Sequence, residues 1–156
     1  MKKSVLFLFV FLVVIMFGFT KGALAATKTN NLVVTASVEA ACTITSVGDI
    51  NFGAYDPTSS SPLDADGNMK FRCVKGTTYK TYIVGTRSMT NGTDTLSFAL
   101  YTDSNRTTVF PSDNSGSGAQ ASSNQEITVP IYGRVAAQQD VSVGNYSRTL
   151  TATVEY

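Results

Sequence analysis

Short runs of alternating apolar and polar residues recur through this chain from about residue 30 onwards. In the last run Leu150, Ala152, Val154 and Tyr156 alternate with threonines and a glutamate. A period of two is typical of antiparallel strands that bury one face, and no stretch shows the period of a helix. The chain is therefore predicted to be all-β. The same alternation occurs in three earlier sets: Met69, Phe71 and Cys73; Leu96, Phe98 and Leu100; Ile127, Val129 and Ile131.

Turn-forming residues separate these runs, and they define short strands. The turn signals are Asp56-Pro57, Asp66-Gly67, Asn91-Gly92 and Val143-Gly144-Asn145. A stretch rich in Ser, Gly and Asn, residues 111–124, is predicted to be an exposed loop. About seven or eight short strands in a chain of this length favour an immunoglobulin-like β-sandwich, with a jelly roll as the alternative.

The composition excludes most catalytic and metal chemistry. The chain has no histidine, which is the commonest general base and the commonest metal ligand. Gly116-Ser117-Gly118 lacks the strand-turn-helix context of a serine nucleophile. Asp64-Ala65-Asp66-Gly67-Asn68 resembles the start of a calcium loop, but Lys75 stands where an EF-hand has Glu, so a polar hairpin turn is predicted there. We therefore expect neither an enzyme nor a cofactor or metal site.

The first residues are typical of an export signal. Lys2 and Lys3 precede an apolar run over residues 5–19, and Ala23-Leu24-Ala25 supplies a small-x-small cleavage pattern. A membrane anchor is the alternative, but this run is shorter than the roughly 20 residues that span a bilayer. We expect residues 1–25 to be removed and the mature chain to be exported through the periplasm without membrane insertion.

Removal of the export signal changes the net charge of the chain, and export places its two cysteines in an oxidising compartment. Loss of Lys2, Lys3 and Lys21 leaves nine basic residues of the twelve, against eleven acidic ones. Nucleic acid is therefore not an expected partner, because phosphate binding needs a surplus of Lys and Arg. In an oxidising compartment Cys42 and Cys73 are predicted to form a disulfide, which contributes roughly 3 to 4 kcal/mol in the chain-entropy model.

The extended run over residues 31–46 is too long for one strand of about five or six residues. It is predicted to divide near Ala40-Ala41. In its first half the apolar residues on one side are Leu32, Val34, Ala36 and Val38. Residues 31–39 then form either an edge strand of their own domain or a donor strand that inserts into a neighbouring copy.

Four tyrosines, together with one acidic and basic pair, are further candidates for structural or binding roles. Tyr146 is predicted to be a corner residue whose hydroxyl bonds the backbone. Tyr55, Tyr101 and Tyr132 either pack in the core, the favoured interpretation, or stack on sugar rings. Asp103 and Arg106 form either a surface ion pair or a turn.

Five strings in order carry a family resemblance over nearly the whole mature chain. They are Cys42-Thr43-Ile44 followed by residues 50–57, residues 63–67 leading to Cys73, residues 96–103 followed by residues 106–108, residues 131–135, and Gly144-Asn145-Tyr146 with the terminal Val154-Glu155-Tyr156. Together they resemble the spore coat protein U family, which includes subunits of archaic chaperone-usher pili. One departure is Phe110-Pro111, where relatives often carry Trp-Gly.

The resemblance implies an incomplete immunoglobulin-like domain, residues 41–156, that lacks its last strand. It implies capping by a periplasmic chaperone, export through an outer-membrane usher, and polymerisation through the donor arm of the next copy, residues 26–40. Because the sequence ends at Tyr156, we expect no later segment to cover the terminal strand, whose apolar residues would face a groove or the chaperone. The expected function is a secreted subunit of a surface pilus or spore coat. The alternative is a self-contained extracellular carbohydrate-binding or inhibitor domain.

Overall fold

The computed structural model describes residues 25–156, so nearly all of the predicted signal peptide lies outside the described residues. The chain divides into two units, residues 1–36 and residues 37–156. In the first unit, the described residues 25–36 form neither helix nor strand, and all of them are exposed.

The second unit is built from strands in two antiparallel sheets. The strands are β1 (Cys42–Gly48), β2 (Leu63–Cys73), β3 (Thr78–Val84), β4 (Ser88–Thr90), β5 (Thr95–Tyr101), β6 (Ala119–Gln120), β7 (Glu126–Val135) and β8 (Thr151–Glu155). One sheet has the order β1-β2-β7-β5-β4 and the other β6-β3-β8. No helix occurs among residues 25–156. The all-β sandwich predicted from the period of two is confirmed.

The core lies between the two sheets and is filled by the inward side chains of their strands. Met69, Phe71 and Cys73 alternate along β2 and are at most 2% exposed. Leu100 of β5 and Ile131 of β7 are equally buried, and Ile83 supplies the contribution of the second sheet. Apart from Ile83, these residues belong to the alternating runs predicted from the sequence, in which every second side chain points to the same face.

Phe110 and the segment after it are more ordered than the sequence suggested. Phe110 is 1% exposed, and its N–H donates to the carbonyl of Leu100 at 2.8 Å, so this residue fills the core. Residues 111–124, predicted to be a loop, contain the short strand β6, and Ala121 is buried directly after it.

A disulfide ties the edge strand β1 to its neighbour β2. Cys42 lies directly opposite Cys73 in the antiparallel register, and the two are bonded as predicted. β1 begins at Cys42, close to the predicted division near Ala40-Ala41, and residues 25–41 belong to no strand.

The predicted turn at Asp66-Gly67, and with it the polar hairpin over Asp64–Asn68, is wrong. All of these residues lie inside β2, which continues from Leu63 to Cys73. Gly67 is required there by a close approach, since a Cβ would come within 2.7 Å of Ile50 Cγ1 and 2.8 Å of the Gly48 carbonyl oxygen. The other three turn signals do lie between strands.

Replacing both Cys42 and Cys73 by Ala should lower the free energy of unfolding by roughly 3 to 4 kcal/mol. The bond closes a separation of 31 residues and secures a strand that, within residues 25–156, pairs only with β2. Urea denaturation of the oxidised chain and of this variant measures the difference. A loss below about 1 kcal/mol would contradict this structural role.

Candidate functional site

An open groove of about 1010 Å³ lies between the segment that follows β1 and the segment that precedes β8. β1 and β8 are outer strands of the two sheets. Its apolar surface comes from four strands, through the side chains of Val47, Ile83, Leu96, Phe98, Leu100 and Ile131. Leu150 and Ala152 also line it, and Ala152 lies beside Ile83 in the smaller sheet. Four of these side chains, those of Ile83, Leu96, Leu100 and Ile131, are at most 4% exposed and belong to the core, whereas Val47 is 50% exposed.

The inner face of β1 shows most clearly that this part of the core is uncovered. Ile44 lies opposite Phe71 and Val47 lies opposite Met69, and both of these partners are 0% exposed. Ile44 and Val47 share that inner face but are 40% and 50% exposed. β8 contacts β1, yet Ile44 and Val47 stay partly exposed.

Within the described residues, β1 and β8 each have an unpaired edge. β1 pairs only with β2, and β8 pairs only with β3, in the part of the chain that the structure describes. The other end of the large sheet differs, because Thr90 of β4 exchanges two backbone hydrogen bonds with Ser147. An unpaired edge presents free N–H and C=O groups to any extended chain of suitable length.

One wall of the groove is the segment after β1, residues 49–57. Ile50 packs where Gly67 and Gly133 leave room, and the ring of Phe52 lies 6.1 Å from that of Phe98. Tyr55 anchors the far end, because its hydroxyl donates to the Ala136 carbonyl at 2.8 Å and accepts from the Gln139 N–H at 2.8 Å.

The other wall is residues 141–148, in the segment before β8. The hydroxyl of Tyr146 donates to the Ser142 carbonyl at 2.9 Å, so the predicted backbone bond of this tyrosine is confirmed. Asp94, in the turn between β4 and β5, accepts from the Ser142 N–H at 2.8 Å. Hydrogen bonding from the side chain and backbone of Ser142 lowers the pKa of Asp94, so this contact is strongest with the carboxylate ionised.

A cluster of charges joins β2 to β7 on the outer face of the large sheet. Arg134 binds Asp64 through two hydrogen bonds of 2.7 and 2.8 Å, and Arg106 donates to Asp66 at 2.7 Å. The bonds from Arg134 lower the pKa of Asp64. Arg106 is in a turn with Asp103, since its backbone N–H donates to the Asp103 carbonyl at 3.0 Å. Its side chain binds Asp66 and not Asp103. Of the two interpretations of this pair, the turn is confirmed.

The three tyrosines considered for sugar binding are all partly buried. Tyr55 uses its hydroxyl within the domain, and Tyr101 lies directly opposite Tyr132 across β5 and β7. The guanidinium of Arg106 lies over the Tyr132 ring, 5.7 Å from its centre, and covers part of one face of the ring. Tyr101 and Tyr132 lie on the outer face of the large sheet, because the residues before them in their strands, Leu100 and Ile131, are buried. The favoured interpretation, packing in the core, is therefore wrong for these two tyrosines.

The candidate donor residues and terminal-strand residues are placed as follows. Leu32, Val34 and Val38 are 82–87% exposed, and Ala36 is exposed as well. Leu150, Ala152 and Val154 are partly buried against the core, while Tyr156 is 61% exposed.

Among residues 25–156 no group of three or more acidic, Cys or His residues could hold a metal ion, and no helix could span a membrane.

Comparisons with known proteins agree with this architecture. The model of the Spore Coat Protein U domain matches residues 28–153, which confirms the resemblance drawn from the sequence. Protein U of Myxococcus xanthus is 35% identical over 156 aligned positions, covering 85% of this chain and 87% of that protein. A chain in the crystal structure of the CsuC-CsuE chaperone-tip adhesion subunit complex, from the archaic chaperone-usher Csu pili of Acinetobacter baumannii, has the same fold. The TM-score is 0.55 at 18% identity, over 77% of this chain and 40% of that one.

Replacing Gly133 by Ala should destabilise the domain by about 1 to 3 kcal/mol through overpacking. A Cβ at this position would come within 2.8 Å of Phe52 Cζ and 2.9 Å of the Ala65 carbonyl oxygen. Gly118 is the matched control, because its Cβ would meet nothing closer than 3.6 Å and Ala there should change stability by less than about 0.5 kcal/mol. Equal urea midpoints for the two variants would refute the close approach.

Asp64→Asn should cost about 0.5 to 1 kcal/mol at pH 7, a small amount because the ion pair is partly exposed. Folding lowers the pKa of Asp64 below its ordinary value of 3.8. Its contribution is therefore complete well above pH 4 and disappears as the pH falls through the lowered pKa. Urea denaturation at pH 7 and pH 3 should show a difference between the two proteins that shrinks in acid. A difference that stays constant would contradict the ion pair.

Proposed function

The chain belongs to the spore coat protein U family, and from this membership and the open groove we propose that it is a structural subunit of a pilus or spore coat. The subunit is secreted through the periplasm to the cell surface and has no catalytic step. The observation that carries the proposal is the uncovered core between two unpaired strand edges.

Such a surface requires a covering chain. An apolar groove between free edges is an aggregation hazard unless another segment pairs with it. One extended strand laid between β1 and β8 satisfies the hydrogen-bonding groups of both edges and covers Ile44 and Val47. This mode of binding is β-strand addition, in which main-chain bonds give affinity and alternate side chains give specificity.

We assign the covering strand in the assembled polymer to the arm of a second copy, residues 26–40. The arm is exposed and belongs to no strand, and Leu32, Val34, Ala36 and Val38 alternate along it. At about 3.3 Å per residue, ten residues extend over roughly 33 Å, which is enough to cross a sandwich. Burial of Leu32, Val34 and Val38 contributes roughly 5 to 9 kcal/mol gross.

Before assembly the same groove needs a temporary partner. We assign this role to a periplasmic chaperone, with an outer-membrane usher as the export site. The related fold in the CsuC-CsuE complex supports the assignment, because that structure is a chaperone bound to a pilus subunit before assembly. Leu150, Ala152, Val154 and Tyr156 are then the residues of the terminal strand that face the groove or the chaperone.

A self-contained carbohydrate-binding or inhibitor domain is the alternative, and two observations weigh against it. Such a domain needs residues 31–39 as a strand of its own sheet, but these residues are exposed and outside every strand. Tyr55 and Tyr132, which were candidates for stacking on sugars, are engaged within the domain.

Val34→Asp should abolish polymer formation by the mature chain, because a charge would enter the apolar groove. Thr35→Asp is the matched control, since the next residue of a strand faces the opposite side. Polymers are detected as ladders on unboiled SDS gels and as fibres by electron microscopy. We expect the control to polymerise like the unaltered chain.

Polymers of normal length from Val34→Asp would reject the arm as the donor. A soluble monomer that stays stable without any partner, formed by the unaltered mature chain, would favour the self-contained alternative.

A further inference from the structure

The groove wall formed by residues 141–148 has little secondary structure to hold it in place. It lies between β7 and β8, and its backbone makes a single bridge to a strand, at Ser147. Val143 at its tip is 100% exposed. Side-chain bonds from a neighbouring element must therefore fix the position of this segment.

Asn91, in the turn between β4 and β5, supplies most of these bonds. Its amide nitrogen Nδ2 donates to the hydroxyl of Tyr146 at 3.0 Å and to Ser142 Oγ at 3.3 Å. Gly144 also packs against this amide, since a Cβ on Gly144 would come within 2.9 Å of Nδ2. One side chain thus contacts three residues of the wall.

The orientation of the Asn91 amide is fixed by its own turn. The side-chain oxygen Oδ1 accepts from the N–H of Thr93 at 2.9 Å and from the N–H of Asp94 at 2.8 Å. With Oδ1 held by these two donors, Nδ2 must point towards the wall. Asp94 in turn accepts from the Ser142 N–H, so the turn and the wall are joined by two adjacent side chains.

Position 91 needs a side chain that accepts hydrogen bonds from its own turn and donates hydrogen bonds to the wall. Tyr146 already donates its hydroxyl hydrogen to the Ser142 carbonyl, so only its lone pairs are left for residue 91. An aspartate at 91 would keep the two bonds of the turn but would place a carboxylate oxygen against those lone pairs. The shape would be unchanged, but Tyr146 could then bind residue 91 only by turning its hydroxyl hydrogen away from the Ser142 carbonyl, so the wall would lose a bond.

Resting on the proposed function, we propose that Asn91 is the positioning residue of the groove. It holds residues 141–148 where an incoming strand from a second copy packs, and its loss lets this wall move. Asn91 touches no incoming strand itself and acts through Tyr146 and Ser142.

The test compares Asn91→Asp with Asn105→Asp, a control at an exposed position in another turn. Hydrogen exchange of the mature chain is followed by mass spectrometry, and residues 141–147 should exchange at least about tenfold faster in Asn91→Asp alone. A labelled peptide of residues 26–41 should dissociate about tenfold faster from this variant. Tyr146→Phe removes the facing oxygen, so the double variant with Asn91→Asp should lose less than the sum of the two single effects.

The outcomes separate this inference from the proposed function. Equal exchange of residues 141–147 in Asn91→Asp and Asn105→Asp would overturn the role of Asn91, whatever the peptide does. An unaltered chain that fails to bind the peptide would overturn the proposed function, while the exchange comparison would still decide the role of Asn91. If Asn91→Asp does not fold, Tyr146→Phe carries the test, and exchange like that of the unaltered chain would overturn the inference.

Discussion

The uncovered stretch of core between β1 and β8 is the constraint on which the rest of this structure depends. A sandwich is stable when the inner faces of its two sheets cover each other. Here Ile44 and Val47 face inwards from β1 but remain 40% and 50% exposed, although their partners on β2 are fully buried. The same opening leaves one edge of β1 and one edge of β8 without a partner in the described chain. A single added strand would cover Ile44 and Val47 and would also pair with the free edges of β1 and β8.

The remainder of the domain keeps this opening in a defined shape. The Cys42–Cys73 disulfide secures β1, Tyr55 ties one loop wall to the Ala136 carbonyl, and Asn91 binds the other wall. Gly67 and Gly133 leave the space in which Ile50 packs beside the groove. The outer strands at the other ends of the two sheets offer less free edge. β4 is bonded to Ser147, and β6 spans only Ala119–Gln120. The unprotected strand edges are therefore concentrated where a partner can use them.

The sequence predicted features that depend on local pattern. The period of two placed Met69, Phe71 and Cys73 on the buried face of β2, and the excess length of the run over residues 31–46 indicated a division that falls just before β1. The export context predicted the disulfide. The tyrosine after Gly144-Asn145 predicted the corner bond that Tyr146 makes.

Features that depend on distant residues could not be predicted. Asp66-Gly67 has the composition of a turn, but the partner that binds Asp66 is Arg106, 40 positions away, and the atoms that require Gly67 belong to Gly48 and Ile50. The groove itself depends on how β1 lies relative to β8, at opposite ends of the domain sequence. Asn91 carried the signal of a turn with Gly92 and nothing that indicated its bonds to the wall 51 and 55 residues later.

A cryo-electron microscopy map of assembled material would test the central claim most directly. We expect continuous density for an extra strand between β1 and β8 of each domain, which can be traced through residues 26–40 into Cys42 of the neighbouring copy. An empty groove, or one filled by residues 31–39 of the same chain, would contradict it.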